Sequence, residues 1–234
     1  MVAQMSDQYD LERLPIDFMQ YIRDLHAYAN HEPHSCKLAR ALQIRVRVAL
    51  HNSALPDADP DPVIFLQPWW YSGNNDVTRH EIAHVMLWWS GLEARILKEY
   101  DVDTAKRIIE GLCNQAIAFL RIPQPMADAA VKRYGVSAQA VAALMRQTRA
   151  PYQMAMDRLT FDKPCESRAA FLTSGKHIVG VSVCNFRLPF WVSDRVPEPH
   201  ILVPQASLLR RPHGTGLLGV LTGGHTDDWY WDGA

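Results

Sequence analysis

No Cys-x-x-Cys pair occurs in this chain, and its four cysteines, Cys36, Cys113, Cys165 and Cys184, are scattered. That argues against a disulfide framework or a thiolate zinc site and leaves reduced thiols as the expectation. Charge of one sign is lacking as well. The formal net charge is −1, so no global field recruits nucleic acid, and any DNA contact needs a local basic patch. No apolar run approaches the length of a membrane span. The N-terminal stretch MVAQMSDQYDLERLPIDFMQ has no basic segment followed by an apolar core, so it is not expected to be a secretory signal. With reduced thiols, this makes a cytoplasmic location the expectation. Repeats and low-complexity tracts are missing too. What remains is 234 residues, 48% of them hydrophobic, a soluble globular composition with chain enough for one substantial core or two small ones.

The periodicity predicts a helix over residues 8 to 29, with Leu14, Phe18, Tyr21, Ile22 and Leu25 at three- and four-residue spacings. A shorter helix follows near SCKLARAL, with Ser35 as a candidate cap. In QIRVRVAL the period changes. Ile44, Val46 and Val48 alternate with Arg45 and Arg47, as in a half-buried strand. PDADPDP reads as a turn, and VIFLQ as a short apolar strand. The next helix has Asp76 or Thr78 as cap, Ile82, Val85, Met86 and Trp89 as its apolar face, and Gly91 as its stop. A long helix over about Asp103 to Leu120, with Asp103 as cap, carries a stripe of Ile108, Ile109, Leu112, Ala116 and Leu120 and stops before Pro123. Three compact helices follow: about Met126 to Tyr134, AQAVAALMRQT behind a Ser137 cap, and YQMAMDRL. Beyond Phe161, AAFLTSGKHIVGVSVCNFRLPFWVS reads as strands with turns, and the tail is rich in glycine, proline and tryptophan.

The stretch NNDVTRHEIAHVMLWW contains His80, Glu81 and His84. On a helix, positions i and i+4 share a face about 6 Å apart. Two imidazoles there can converge on one ion, and zinc accepts neutral histidine nitrogens while keeping an open position when three protein ligands hold it. A glutamate beside the first histidine can reach a metal-bound water without binding the metal, take its proton and pass it to the leaving group. The His-Glu-x-x-His spacing therefore encodes a hydrolytic mechanism. The bland alternative is an amphipathic helix whose histidines face solvent or pack against Trp88. Two histidines do not hold zinc firmly, so a third ligand is needed. No histidine stands near GLEARI to supply it, but carboxylates are available at Glu93, Glu99, Asp101, Asp103 and Glu110. Glu110 stands mid-helix beside the apolar stripe, where a carboxylate is costly to bury unless something pairs it, and a metal would do so. A solvated helix carboxylate is the other reading. Asn114, one turn on, can orient a ligand from behind.

With TRHEIAHVML followed by RIIEGLCNQAIAFLRIP, the chain resembles the ImmA/IrrE-type metallopeptidases over roughly residues 40 to 160. In that family a His-Glu-x-x-His helix precedes a helix carrying Glu-x-x-x-Asn or Glu-x-x-Cys-Asn, an alanine-rich stretch ending in LLMP, and small helices with a YGVS-like turn. Here Arg121 and Ile122 stand where the usual ending has Leu or Met. The resemblance implies that His80 and His84 bind the metal, that Glu110 is the third ligand, and that Glu81 is the general base. The implied fold is a zincin-like metallopeptidase domain with a helical helix-turn-helix-like segment; with the texture changes near 122 and 162, the chain reads as α+β, with that domain over 1–122, the helical segment over 123–162 and a small β-rich C-terminal region over 163–234. The implied activity is cleavage of a helix-turn-helix repressor of the XRE type, relieving repression of stress-response or mobile-element genes. Residues 163–234 are too short for the GAF-like sensor domain of the IrrE branch and do not match it.

Other residues carry open readings. AAVKRYGVSAQAVAALMRQTR outlines a helix-turn-helix with Lys132, Arg133, Arg146 and Arg149 as its charge. Its second helix is mostly alanine and valine, so direct DNA binding is not expected, and a packed helical subdomain that docks the repressor is favoured. Trp69, Trp70 and Tyr71 wall the cleft, bind an extended peptide, or pack in the core. His225, Asp227 and Asp228 read as a polar tail and not as a second metal site. Tyr71, Tyr100, His177 and His200 are the chemical candidates for stabilising an oxyanion. The expectation is a cytoplasmic zinc endopeptidase, with manganese as the other ion these ligands suit. The alternatives are a non-catalytic regulator that binds a repressor or DNA and has a structural or silent metal site, and a metallohydrolase of non-peptide substrates.

Overall fold

The computed structural model describes residues 2–71, 73–211 and 215–223, with side chains from position 13 onward. The chain is mixed α+β and groups into two compact units, Met1–Gln124 and Pro125–Ala234. Among the described residues, no helix is long and apolar enough to cross a membrane. The tail with His225, Asp227 and Asp228 lies outside the described residues.

The first unit opens with α1 (Val2–Tyr28), which buries Leu14, Phe18 and Ile22 on one side, at the expected helical spacing. Helix α2 (Ser35–Ala41) follows. Ser35 does not cap it. His34 holds the cap position, and the Ser35 hydroxyl instead donates to Gly73 O and accepts from the Asn75 N–H. Three short strands come next: β1 (Arg45–Val48), β2 (Ser53–Leu55) and β3 (Val63–Leu66). β3 is central, parallel to β1 and antiparallel to β2. That position explains its unbroken apolar sequence, with Ile64 and Leu66 fully buried. β1 is an edge, so the expected alternation fades along it and Val48 stands exposed. β2, three residues long, is too short for a strand period to show in the sequence.

Helix α3 (Asp76–Trp89) is the hub of this unit. It packs on α1, α2, α5 and the two strands β2 and β3. Ile82, Val85, Met86 and Leu87 are fully buried, each worth about 1.5–3 kcal/mol of burial. Gly91, at φ 74°, takes the left-handed conformation that ends α3. It leads directly into α4 (Leu92–Glu99), a helix not foreseen from the sequence because Ile96 is its only buried residue. α5 (Val102–Arg121) buries Ile109, Leu112, Ala116 and Leu120 as expected, but Asp101, not Asp103, caps it by accepting from the N–H groups of Asp103 and Thr104.

The second unit begins with α6 (Gln124–Tyr134), α7 (Ala138–Thr148) and α8 (Tyr152–Thr160). The Ser137 hydroxyl caps α7 by accepting from the Ala140 N–H. β4 (Arg168–Ser174) and β5 (His177–Cys184) form a hairpin, and β6 (Ser207–Arg210) and β7 (Leu217–Thr222) complete an antiparallel sheet of order β5-β4-β7-β6. The short α9 (Pro199–Leu202) precedes β6. β4 is buried along six of its seven residues because both of its faces are covered. α8 packs on β4 and β5. Phe171 packs with Leu188, Phe190, Val196 and Val203 of the segment after β5. Gly219 pairs with Phe171 across the strands, and a Cβ there would lie 2.2 Å from the phenyl ring, so only glycine leaves room for it.

Candidate metal centre

The N-terminus of α3 is fastened from several directions. The Asn75 side chain accepts from the Thr78 N–H at 2.8 Å, so the cap is Asn75 and neither Asp76 nor Thr78. Its amide donates to Trp70 O at 2.9 Å. Asp76 accepts from Arg79 Nη1 at 2.9 Å and, through its other oxygen, from Arg121 at the end of α5. Arg79 is 1% exposed and also donates to Pro33 O and Asn74 Oδ1. Burial lowers its pKa, and Asp76 opposes that shift. One carboxylate thus ties α3 to α5, the two helices that carry the site.

One turn into α3, the rings of His80 and His84 meet edge to face with centroids 4.8 Å apart. Their Nε2 atoms are 3.1 Å apart. Glu110, from the middle of α5, places Oε2 3.2 Å from His80 Nε2 and Oε1 3.7 Å from His84 Nε2. Donors about 2.1 Å from one tetrahedral ion stand roughly 3.4 Å from each other. The observed spacings bracket that value, and two imidazoles with one carboxylate are a donor set that zinc accepts, so these residues fit a metal site. The histidine side chains are 19% and 20% exposed, so they do not simply face water, and their partner is Glu110 rather than Trp88. Asn114 is exposed, and among the described residues no hydrogen bond joins it to the three.

Electrostatics suit the same use. Burial, then the neighbouring His80, lowers the His84 pKa against the pull of Glu110, which favours the neutral imidazole that can donate a lone pair. Glu81 is 6% exposed and, among the described residues, has no hydrogen-bond partner. Burial, with the Glu110 charge adding to it, raises its carboxyl to about 7. A carboxyl poised there can both take and return a proton near neutral pH. Cys113, on α5 behind Glu110, is fully buried, and burial pushes its thiol up, so it stays protonated and outside the donor set.

The site opens into a cavity of about 440 Å³. Ser53 and Ala54 of β2 line it together with His80, Glu81, His84, Glu93 and Glu110. The contribution of β2 escaped the sequence reading; its one hint is a polar-apolar alternation too short to count. Among the candidate carboxylates, Glu110 joins the histidines, Glu93 lines the cavity outside the cluster, and Asp101 caps α5. Trp69, Trp70 and Tyr71 are exposed rather than core, and none lines this cavity; Tyr71 lines another, beside Cys36, Arg40 and Arg45. Tyr100 is likewise absent from the lining. His177 and His200 belong to the second unit, and both are exposed.

No protein-family model matches the chain. Over 98 residues it is 30% identical to the radiation response metalloprotease IrrE of Deinococcus radiodurans. The aligned stretch covers 42% of this chain but spans only 30% of that protein's length. This similarity supports an IrrE-like relationship and a metalloprotease role without fixing a family.

Proposed function

We propose that this chain is a metal-dependent endopeptidase. The observation that carries the reading is the convergence of Glu110 from α5 on His80 and His84 of α3, with Glu81 buried beside them and without a hydrogen-bond partner among the described residues. The partial similarity to a metalloprotease supports it. His80, His84 and Glu110 would hold the ion, zinc or alternatively manganese. When bound, such an ion polarises a carbonyl and makes water more acidic. Glu81 accepts a proton from the attacking water at a carboxylate oxygen and returns it to the departing amine nitrogen. β2 is an edge strand on the cavity wall, so among the described residues its outer N–H and C=O groups have no ladder partners and can align an extended peptide. The substrate we favour is a repressor of the XRE type in the cytoplasm, cut to relieve repression of stress-response or mobile-element genes.

Glu81→Gln separates this reading from a regulator that only binds. The variant is expected to keep its metal and lose cleavage of the repressor. Cleavage that survived Glu81→Gln would exclude the role given to this residue, and a repressor bound but never cut by the wild-type protein would favour the binding module.

A further inference from the structure

Glu93 is the charged residue of the cavity wall to which neither the metal triad nor the general base gives a role. It stands in the first turn of α4, where the free amides of a helix start favour a carboxylate. That location gives it no side-chain partner. Among the described residues no hydrogen bond or ion pair reaches it, and burial raises its carboxyl above the ordinary range. The cavity lining holds three carboxylates, Glu81, Glu93 and Glu110, and among the described residues no lysine or arginine. Glu81, nine-tenths buried in the same wall and without a hydrogen bond, is a second sign that the space is finished by something from outside the chain. A divalent cation shared by the triad neutralises Glu110 and one further charge at most. Glu93 is then the carboxylate of the lining committed neither to the metal nor to the chemistry.

We propose that Glu93 is a specificity residue that pairs with a lysine or arginine side chain of the substrate close to the bond that is cut, a reading that rests on the peptidase function above. A half-buried carboxylate facing a guanidinium or ammonium forms a charge-assisted hydrogen bond, stronger than a neutral one and lost when either charge is removed. The cavity thereby selects peptides by the sign of one side chain.

The test uses zinc-loaded protein carrying Glu81→Gln, so that bound peptides are not consumed. Random peptides displayed on phage are selected on it, and one selected sequence is then synthesised with each basic residue replaced by citrulline or norleucine. Lysine or arginine is expected to be enriched at one position. Neutralising that position should weaken binding, measured by fluorescence anisotropy, roughly tenfold or more. With Glu93→Gln added, both the enrichment and the sensitivity to citrulline should disappear, while zinc content and unfolding midpoint stay close to the parent. Glu93→Lys provides the reverse sign and should turn the preference towards acidic residues. Peptides retained without a basic preference, or with one that survives Glu93→Gln and Glu93→Lys, would overturn this inference and leave the peptidase reading standing. Zinc-loaded protein that retains no peptide at all would overturn both.

Discussion

Asp157 offers a test of the physical reasoning that does not depend on the metal. It lies on α8, which packs on β4 and β5, and Gln153 Nε2 bridges it to the sheet with 2.9 Å to Asp157 Oδ1 and 3.0 Å to Val181 O. Burial raises its carboxyl from an ordinary 3.8 to about 6, although the side chains of Ser182 and then Gln153 pull the other way. Between about pH 4 and 6 the folded chain therefore holds this proton more tightly than the unfolded chain does. Where the folded state binds more protons, stability falls as pH rises, and the loss levels off above the folded pKa. At about 1.4 kcal/mol for each pH unit, the gap from 3.8 to about 6 sets a ceiling of about 3 kcal/mol. Asp157 is half-buried rather than sealed, so about 1–2 kcal/mol is the working expectation. Asp157→Asn keeps the shape and removes the titration. Urea unfolding of both proteins at pH 4, 5, 6 and 7.5 should show little difference at the acid end and a variant more stable by that amount at pH 7.5. A difference that did not change with pH, or a variant less stable at pH 7.5, would refute the assignment of the shift to burial.

Three further expectations follow from contacts already described. Glu110→Ala and His80→Ala should each remove the metal from purified protein, read by elemental analysis; near-stoichiometric metal in either variant would break up the proposed donor set. Asp76→Ala leaves the buried Arg79 without its carboxylate and cuts the tie to Arg121, so it should cost about 2–3 kcal/mol in chemical unfolding. It should also weaken metal binding in a chelator competition. Gly219→Ala puts a methyl group into the Phe171 ring and should lower stability by about 1–3 kcal/mol, with Phe171→Leu in the same chain recovering part of the loss.

Legibility in the sequence followed the length of each signal. α3 and α5 were readable because their apolar stripes run over several turns, and Gly91 marked a boundary that only a left-handed residue takes comfortably. The caps lie one to three positions before the expected ones, at Asn75 rather than Asp76 or Thr78 and at Asp101 rather than Asp103, because Asx and hydroxyl residues crowd both helix starts. α4 and β2 were hidden for the same reason in two forms: each buries too little for a period to appear. The pairing of His80 with His84 is local and follows from one turn of helix. The choice of Glu110 over four other carboxylates depends on how α3 and α5 cross, which no spacing encodes; its place beside the apolar stripe left a solvated carboxylate open, and the resemblance favoured the ligand. The exposed Trp69, Trp70 and Tyr71 show the converse limit, since aromatic character alone did not tell core from surface.

The donors of the candidate centre come from two helices, with the whole of α4 strung between His84 and Glu110. An ion held by all three would close that segment into a loop and so remove conformations from the unfolded chain rather than only adding contacts to the folded one. The centre would then act on folding as well as on chemistry. Beyond saturation, each tenfold rise in free metal would add about 1.4 kcal/mol to the stability of the first unit, and a chelator would withdraw it. Metal supply would then bear on the stability of this chain as well as on how fast anything is cut.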